Sequence, residues 1–211
     1  MKYPQGRILV FAKAPVPGEV KTRLMPQLDA AECAELHKKL VARTLSTAID
    51  ARLCQVELWC SPDPSHAFFG DCAKRFGITL ARQDGSDLGA RMRSALGQTL
   101  DRSEFAIVIG SDCPTMTGAY LAAACEPLAH GTRCVLGPAE DGGYVLIGCR
   151  EVDELLFSAI AWGSSGVLTE TLQRLARLGW DYTVLSELWD LDRPQDLARI
   201  SHHDGEPSLD L

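Results

Sequence analysis

The sequence lacks any long uninterrupted apolar run and has little positive charge. No stretch approaches the ~18 residues that a membrane-spanning helix needs, and no signal peptide opens the chain, so we expect a cytoplasmic protein without a membrane span. Basic residues number 21 against 28 acidic ones, which gives a formal net charge of −7. A nucleic-acid-binding protein is usually basic overall or along one face, so we expect no nucleic-acid partner.

Metal-binding and disulfide motifs of cysteine are also missing, although the chain has eight cysteines. No two of them form a Cys-x-x-Cys pair, so the spacing predicts neither a zinc site nor a disulfide framework. Reduced, buried thiols that act as small hydrophobic side chains are the expectation. The five histidines stand in no pattern typical of a metal site or a catalytic triad.

The common nucleotide-binding and hydrolase signatures are absent as well. Val20 precedes Lys21 where a Walker A loop needs glycine, and no Gly-x-Gly-x-x-Gly follows the first apolar run. The chain has no Gly-x-Ser-x-Gly elbow, so a hydrolase triad is unsupported. Any bound nucleotide must therefore be held by a different loop.

What the 211-residue chain does have is a regular alternation of strand-like and helix-like segments, which we expect to form one domain over 1–211 with a frayed tail from His202. This alternation predicts an α/β fold, a mostly parallel sheet with helices on both faces. The predicted strands are Arg7–Ala12, Gln55–Cys60, Ile78–Arg82, Phe105–Gly110, Cys134–Gly137, Tyr144–Gly148 and Tyr182–Leu185. The predicted helices are Asp29–Asp50, Ser65–Arg75, Leu88–Leu100, Gly118–Ala129, Ser165–Leu178 and one from Pro194. Asp29 and Glu32 have the spacing of a capping box at the start of the first helix.

Three loops at strand ends have side chains suited to a phosphorylated ligand and a metal. The first, Phe11 to Leu24 (FAKAPVPGEVKTRL), combines a Pro/Gly turn with the cations Lys21 and Arg23. The alternative is a solvated loop without a function. In the second, GSDCP, Asp112 directly follows an apolar strand and could hold Mg²⁺ or Mn²⁺; the alternative is a turn-forming aspartate.

The third loop, EDGGY (140–144), is explained by spacing alone as a β-hairpin, although Gly142 and Gly143 would also let a ligand approach the backbone. Two weaker features remain. The segment from Gln83 to Gly89 could cap a helix or contact a sugar. The two carboxylates Asp190 and Asp192 precede a helix, where a capping role is the ordinary expectation.

With these motifs in view, the chain resembles an uncharacterised bacterial glycosyltransferase-like family of the nucleotide-diphospho-sugar transferase superfamily, which has the GT-A fold. The resemblance rests on FAKAPVPGEVKTRL, GSDCP, GPAEDGGYVLIG, LFSAIAWGSSGV and DLDRPQDL, and it covers nearly the whole chain. It implies a Rossmann-like sheet with a mixed edge. This chain has Trp-Gly-Ser at 162–164 where relatives have Trp-Ser-Thr, so any role for a hydroxyl at position 163 is lost.

The resemblance also implies where a nucleotide and a metal would bind. Asp112 occupies the place of the metal-binding acid, and Asp192 is a candidate second ligand of Mg²⁺ or Mn²⁺. Asp112, Asp141 and Lys21 are the candidate catalytic residues. The candidate nucleotide-binding residues are Ala12, Lys13, Pro15, Gly18, Lys21, Arg23, Gln83, Ser111, Gly142 and Gly143.

The main hypothesis is therefore a metal-dependent transferase that moves a sugar from a nucleoside-diphosphate sugar to an unknown acceptor. A nucleotidyltransferase that releases pyrophosphate from a nucleoside triphosphate is the close alternative. A non-catalytic nucleotide-binding protein is the third. The nucleotide base, the sugar, the acceptor and the oligomeric state are not encoded in any motif that we identify.

Overall fold

The computed structural model describes residues 1–200, so the predicted frayed tail lies outside the described residues. Seven strands follow the predicted order along the chain: β1 (Gly6–Lys13), β2 (Gln55–Ser61), β3 (Thr79–Arg82), β4 (Phe105–Gly110), β5 (Cys134–Pro138), β6 (Tyr144–Cys149) and β7 (Tyr182–Val184). They form one sheet in the order β3-β2-β1-β4-β6-β5-β7.

Residues 1–200 also contain seven α-helices and one short 3-10 turn, Thr22–Leu24; the first six helices lie between strands, and the seventh follows β7. The helices are α1 (Ala30–Asp50), α2 (Ala67–Phe76), α3 (Leu88–Leu100), α4 (Gly118–Ala129), α5 (Glu154–Phe157), α6 (Val167–Leu178) and α7 (Pro194–Ile200). Asp29 and Glu32 form the predicted capping box at the start of α1. No helix within residues 1–200 has the length and apolar character that crossing a membrane requires.

The parallel half of the sheet places the first two candidate loops side by side. Strands β1, β2, β3 and β4 run parallel, with β2 on one side of β1 and β4 on the other. The chain therefore changes direction across the sheet between β1 and β4. In open α/β sheets, ligands bind beyond the carboxyl ends of the strands at such a switch point.

The other half of the sheet is mixed, as the resemblance implied. Strand β6 runs antiparallel to β4 and to β5, and β5 is parallel to β7. The segment between β5 and β6 is the hairpin that the Asp-Gly spacing predicts. The predicted fold class, a Rossmann-like and mostly parallel α/β sheet, is confirmed.

Alternate residues along the strands fill two cores, one on each face of the sheet. Ile8 and Val10 of β1 point to the face covered by α1 and α4, while Leu9 and Phe11 point to the face covered by α3, α5 and α6. A third, smaller cluster includes Leu24, Leu36 and Leu191. It fixes the 3-10 turn and the segment before α7 against α1.

One buried carboxylate, Glu57 of β2, is held by an arginine at the end of α3. The Arg102 guanidinium donates to both carboxylate oxygens of Glu57, at 2.6 and 2.8 Å, and the Trp59 indole donates to one of them at 3.2 Å. The Glu57 side chain is 4% exposed, whereas that of Arg102 is 48% exposed. Removing the guanidinium would leave a buried carboxylate without its main partner.

We expect Arg102→Met to lower the free energy of unfolding by about 2 kcal/mol, less than for a fully buried pair because solvent screens Arg102. Urea denaturation measures the loss. Arg93→Met is the matched control, because Arg93 pairs with Glu154 in an exposed bridge at 3.5 Å and should lose well under 1 kcal/mol. Equal losses in the two variants would show that Glu57 does not depend on Arg102.

Candidate functional site

The loop after β1 turns the Lys21 side chain inward. Gly18 has a φ of 81° and Lys21 a φ of 51°, so both residues adopt the left-handed conformation. The 3-10 turn follows at once, and its buried Leu24 packs against α1 in the third core cluster. The Lys21 side chain is only 3% exposed as a result.

The Lys21 ammonium joins three segments that are distant in the sequence. Its Nζ lies 2.8 Å from Oδ1 of Asp112, directly after β4, and donates at 2.5 Å to the carbonyl of Leu191. The Leu191 N–H in turn donates to the Asp112 carbonyl at 2.8 Å. We call these three residues the Lys21 junction. Because its ammonium is already engaged, Lys21 holds the acid Asp112 in place.

His37 of α1 is a member of the site that the sequence analysis did not assign to it. Its ring Nε2 lies 2.9 Å from the carbonyl oxygen of Lys13, and its Nδ1 lies 3.7 Å from Oδ1 of Asp112. The signal in the sequence was a polar residue at helical spacing from the buried Cys33 and Leu40. Position alone did not reveal what the buried ring would face.

The electrostatics of the junction keep Asp112 ionised. Burial on its own would raise the pKa of the Asp112 carboxyl, but the Lys21 charge and the His37 ring outweigh burial and hold that pKa below its usual range. Asp112 is therefore a carboxylate at neutral pH. Its Oδ1, which faces Lys21, is buried, whereas the side chain as a whole is 44% exposed.

A cavity of about 190 Å³, the loop pocket, lies against the junction. Among its lining residues are Lys13, Lys21, Arg23, His37, Asp112 and Asp192. The Arg23 guanidinium bonds to the carboxylate of Asp192, which precedes α7. The cations of the first loop and both candidate metal ligands therefore share one cavity at the switch point of the sheet.

The loop pocket continues into a polar cavity of about 510 Å³, since Arg23 and Asp192 line both. Arg193, Arg199 and several acids, including Asp141 and Asp190, complete its walls. Burial, and next the negative charge of Asp112, raise the pKa of Asp190 to about 7. Asp190 faces the cavity although its position before a helix suggested only a capping role.

The hairpin between β5 and β6 brings Asp141 and Gly143 to the site. The Asp141 carboxylate is exposed and accepts a hydrogen bond from the Gly143 N–H at 2.9 Å. Gly142 serves a different purpose: a Cβ there would lie 2.2 Å from the Ser165 carbonyl oxygen, so glycine allows two loops to touch.

Six of the residues predicted from the sequence to bind the nucleotide line neither these two cavities nor the apolar cavity beside them. Gln83 is the clearest case, since its amide donates to the carbonyls of Ala12 and Trp59, at 3.3 and 2.8 Å, and ties the ends of β1 and β2 together. Its role in nucleotide binding stays a prediction. The six residues are Ala12, Pro15, Gly18, Gln83, Ser111 and Gly142.

An apolar cavity of about 220 Å³ adjoins the polar one on the face of the sheet that α3 and α6 cover. Tyr144 and Trp162 stand in its wall with their rings edge to face, 6.3 Å between centroids. Gly89 makes room for Trp162, because a Cβ at that glycine would lie 2.4 Å from the indole.

The carboxylates of the loop pocket suit a metal ion that arrives with phosphate. Within residues 1–200, no group of three or more His, Cys, Asp or Glu residues is arranged to hold a metal ion alone. Asp112 and Asp192 nevertheless line one pocket, and Mg²⁺ commonly takes only one or two carboxylates from a protein and its other ligands from phosphate and water. The donor set therefore fits a metal–nucleotide complex.

Comparison with solved structures finds the same fold among enzymes that use nucleotides. A provisionally assigned nucleotide-diphospho-sugar transferase from Desulfovibrio desulfuricans G20 superimposes with a TM-score of 0.84 and 28% identity, over 96% of this chain and 90% of that one. Glucosyl-3-phosphoglycerate synthase from Mycobacterium tuberculosis, in complex with Mn²⁺, uridine diphosphate and glucosyl-3-phosphoglycerate, gives a TM-score of 0.57 at 12% identity, covering 93% and 75%.

A cytidylyl-type enzyme is similar to the same degree. 4-Diphosphocytidyl-2C-methyl-D-erythritol synthase from Anaerococcus prevotii DSM 20548 gives a TM-score of 0.55 at 11% identity, covering 87% and 89%.

Among functionally curated proteins, none matches this sequence. The model of one protein family matches residues 44–164, more than half of the chain, and the resemblance seen in the sequence is confirmed. The chain therefore belongs to the family described as uncharacterized protein conserved in bacteria, DUF2064.

Proposed function

We propose that this protein is a metal-dependent transferase that moves a glycosyl group from a nucleoside-diphosphate sugar to an acceptor hydroxyl. One observation carries the proposal: the cationic loop after β1 and the carboxylate after β4 line one pocket at the switch point of the sheet. This is where ligands bind in sheets of this class. A neighbour of the same fold that binds Mn²⁺ and uridine diphosphate supports the assignment.

In this proposal the cations of the first loop have different roles. Arg23 and Lys13 have exposed side chains, 62% and 48%, and are the ones that would contact the diphosphate. Lys21 acts at close range through the Lys21 junction, which keeps the Asp112 carboxylate ionised and oriented. Asp112 and Asp192 would hold Mg²⁺ or Mn²⁺, which would offset the negative charge on the departing diphosphate.

The transfer replaces one bond at the anomeric carbon of the sugar with another. The acceptor hydroxyl oxygen forms a bond to the anomeric carbon of the sugar. The bond from that carbon to the diphosphate breaks, and its electron pair stays on the nucleoside diphosphate. The hydroxyl proton passes to a base, for which Asp141 is our candidate because its exposed carboxylate lines the polar cavity.

A nucleotidyltransferase is the second candidate, and the loop after β1 allows it. The exposed cations Lys13 and Arg23 would suit a triphosphate at least as well as a diphosphate. The polar cavity favours neither ligand, because its three arginines stand among five acidic residues. In this reaction an acceptor phosphate would attack the α-phosphate, and pyrophosphate would leave. The similar fold of a diphosphocytidyl synthase is consistent with this alternative.

Two measurements test the function. A thermal-shift screen of nucleotides and nucleotide sugars, with and without Mn²⁺ and Mg²⁺, should find a donor whose stabilising effect grows with metal, about 2.7 kcal/mol at a hundredfold excess over Kd. Product analysis with that donor then separates the reactions: a released nucleoside diphosphate supports glycosyl transfer, and released pyrophosphate supports nucleotidyl transfer. Nucleotide affinity that does not change with metal, together with no turnover of any donor, would show a non-catalytic nucleotide-binding protein.

Arg23→Ala should weaken nucleotide binding roughly tenfold, the equivalent of ~1.4 kcal/mol, because a charge-assisted contact to phosphate is lost. Isothermal titration calorimetry measures the affinity. Arg133→Ala is the matched control. Arg133 is likewise accessible, at 46% exposure, and paired to an acid, but it precedes β5 and so lies at the end of the sheet away from the site. If Arg133→Ala weakens binding as much as Arg23→Ala, the effect is one of net charge and the assignment of Arg23 is wrong.

Asp112→Asn should lower turnover by ~10²-fold or more, the scale seen when stabilisation of transition-state charge is removed. The asparagine keeps the shape beside Lys21, and circular dichroism checks the fold. The added affinity that Mn²⁺ gives to nucleotide binding should disappear as well. Asp181→Asn, at the far edge of the sheet, should change neither quantity. If Mn²⁺ strengthens nucleotide binding as much in Asp112→Asn as in the parent protein, Asp112 is not a ligand of the metal.

A further inference from the structure

The apolar cavity has walls that suit a hydrocarbon group better than a sugar. Phe11, Met92, Val108, Leu146 and Val167 line its body. A sugar would bring several hydroxyl groups against side chains that cannot hydrogen-bond to them, which is unfavourable. Its volume of about 220 Å³ corresponds to roughly seven water molecules in the liquid. The cavity therefore has room for one small ring or a chain of similar size.

The cavity opens toward the polar part of the site. Asp141, Gly163 and Asp190 line both the apolar and the polar cavity. A Cβ at Gly163 would have no neighbouring atom within 4 Å, so there is open space beside Gly163, in the opening between the two cavities. A molecule whose apolar end lies in the apolar cavity would present its other end to the carboxyl groups of Asp141 and Asp190 at this opening.

Two aromatic side chains, Tyr144 and Trp162, form one wall of the cavity. The Tyr144 hydroxyl and the Trp162 indole nitrogen are buried away from solvent, so these residues present apolar ring surface to the cavity. At the rim, the side chain of Leu88 is exposed, although it is a large apolar residue. These features together are typical of a binding pocket for a mostly apolar ligand with one polar end.

We propose that the apolar cavity binds the hydrocarbon part of the acceptor, which is a small uncharged alcohol with one ring or a chain of that size. The hydroxyl group of this alcohol faces the opening to the polar cavity, beside Asp141. That this alcohol is the acceptor rests on the proposed function, whereas the binding of a small apolar alcohol in the cavity does not. The cavity thus selects the acceptor by excluding strongly hydrated molecules.

Titration with benzyl alcohol, followed by the indole N–H signals in ¹H–¹⁵N NMR spectra, tests the proposal. The chain has four tryptophans, and Trp162→Phe identifies the signal of Trp162. Benzyl alcohol should shift that signal with a dissociation constant on the order of millimolar, the strength expected of so small a ligand. The signal of Trp180, just beyond the end of α6, should stay in place. Glucose at the same concentrations should shift neither signal.

Variants that fill the cavity provide the control. Val167→Phe adds a ring to the wall, and Ser164→Phe adds one at an exposed position on the rim, so at least one variant leaves the core packing undisturbed. Each should weaken benzyl alcohol binding about tenfold. Val184→Phe makes the same change at a half-exposed position of β7 outside the cavity and should have no effect.

The proposal is wrong if the Trp162 signal does not move, if glucose moves it equally, or if Val184→Phe weakens binding as much as the filling variants. These failures leave the proposed function standing, provided that the nucleotide screen finds a donor. Conversely, benzyl alcohol binding in a protein that binds no nucleotide would overturn the acceptor assignment together with the proposed function. Saturable binding that depends on the cavity, in a protein that also binds a nucleotide, supports both.

Discussion

The contact between the Lys21 ammonium and the Asp112 carboxylate is the interaction on which the site depends. It joins the loop after β1 to the end of β4, and through the Leu191 carbonyl it fixes the segment that carries Asp190 and Asp192. A buried ammonium is unfavourable unless it is paired and hydrogen-bonded, so the three segments hold one another in place. The same contact keeps Asp112 negatively charged at the edge of a pocket that contains Arg23.

The fold explains why these segments meet. Strands β1 and β4 are neighbours at the point where the chain reverses direction across the sheet, so their carboxyl ends share an edge. The antiparallel strand β6 then directs the hairpin with Asp141 to the adjacent part of the cleft. The loop pocket, the polar cavity and the apolar cavity follow one another along this edge. This order suits the proposal that the charged end of the donor binds in the loop pocket and the apolar end of the acceptor binds in the apolar cavity.

Local patterns were enough to predict the elements but not the contacts among them. Apolar runs predicted all seven strands, and capping residues predicted the start of α1, because both depend on nearby residues. The short helix α5 and the 3-10 turn were not predicted, since tertiary packing decides such short elements. The contact of Lys21 with Leu191 joins residues 170 positions apart. His37 was missed for the same reason: its partners, Lys13 and Asp112, come from two other segments.

A crystal structure with Mn²⁺ and the nucleoside diphosphate found by screening would test the central claim most directly. Anomalous scattering locates the metal without reference to the protein. We predict a manganese peak in the loop pocket, coordinated by the Asp112 and Asp192 carboxylates and by the diphosphate, with Arg23 turned toward a phosphate oxygen. A diphosphate bound outside that pocket, or a metal peak without contact to Asp112, would contradict it.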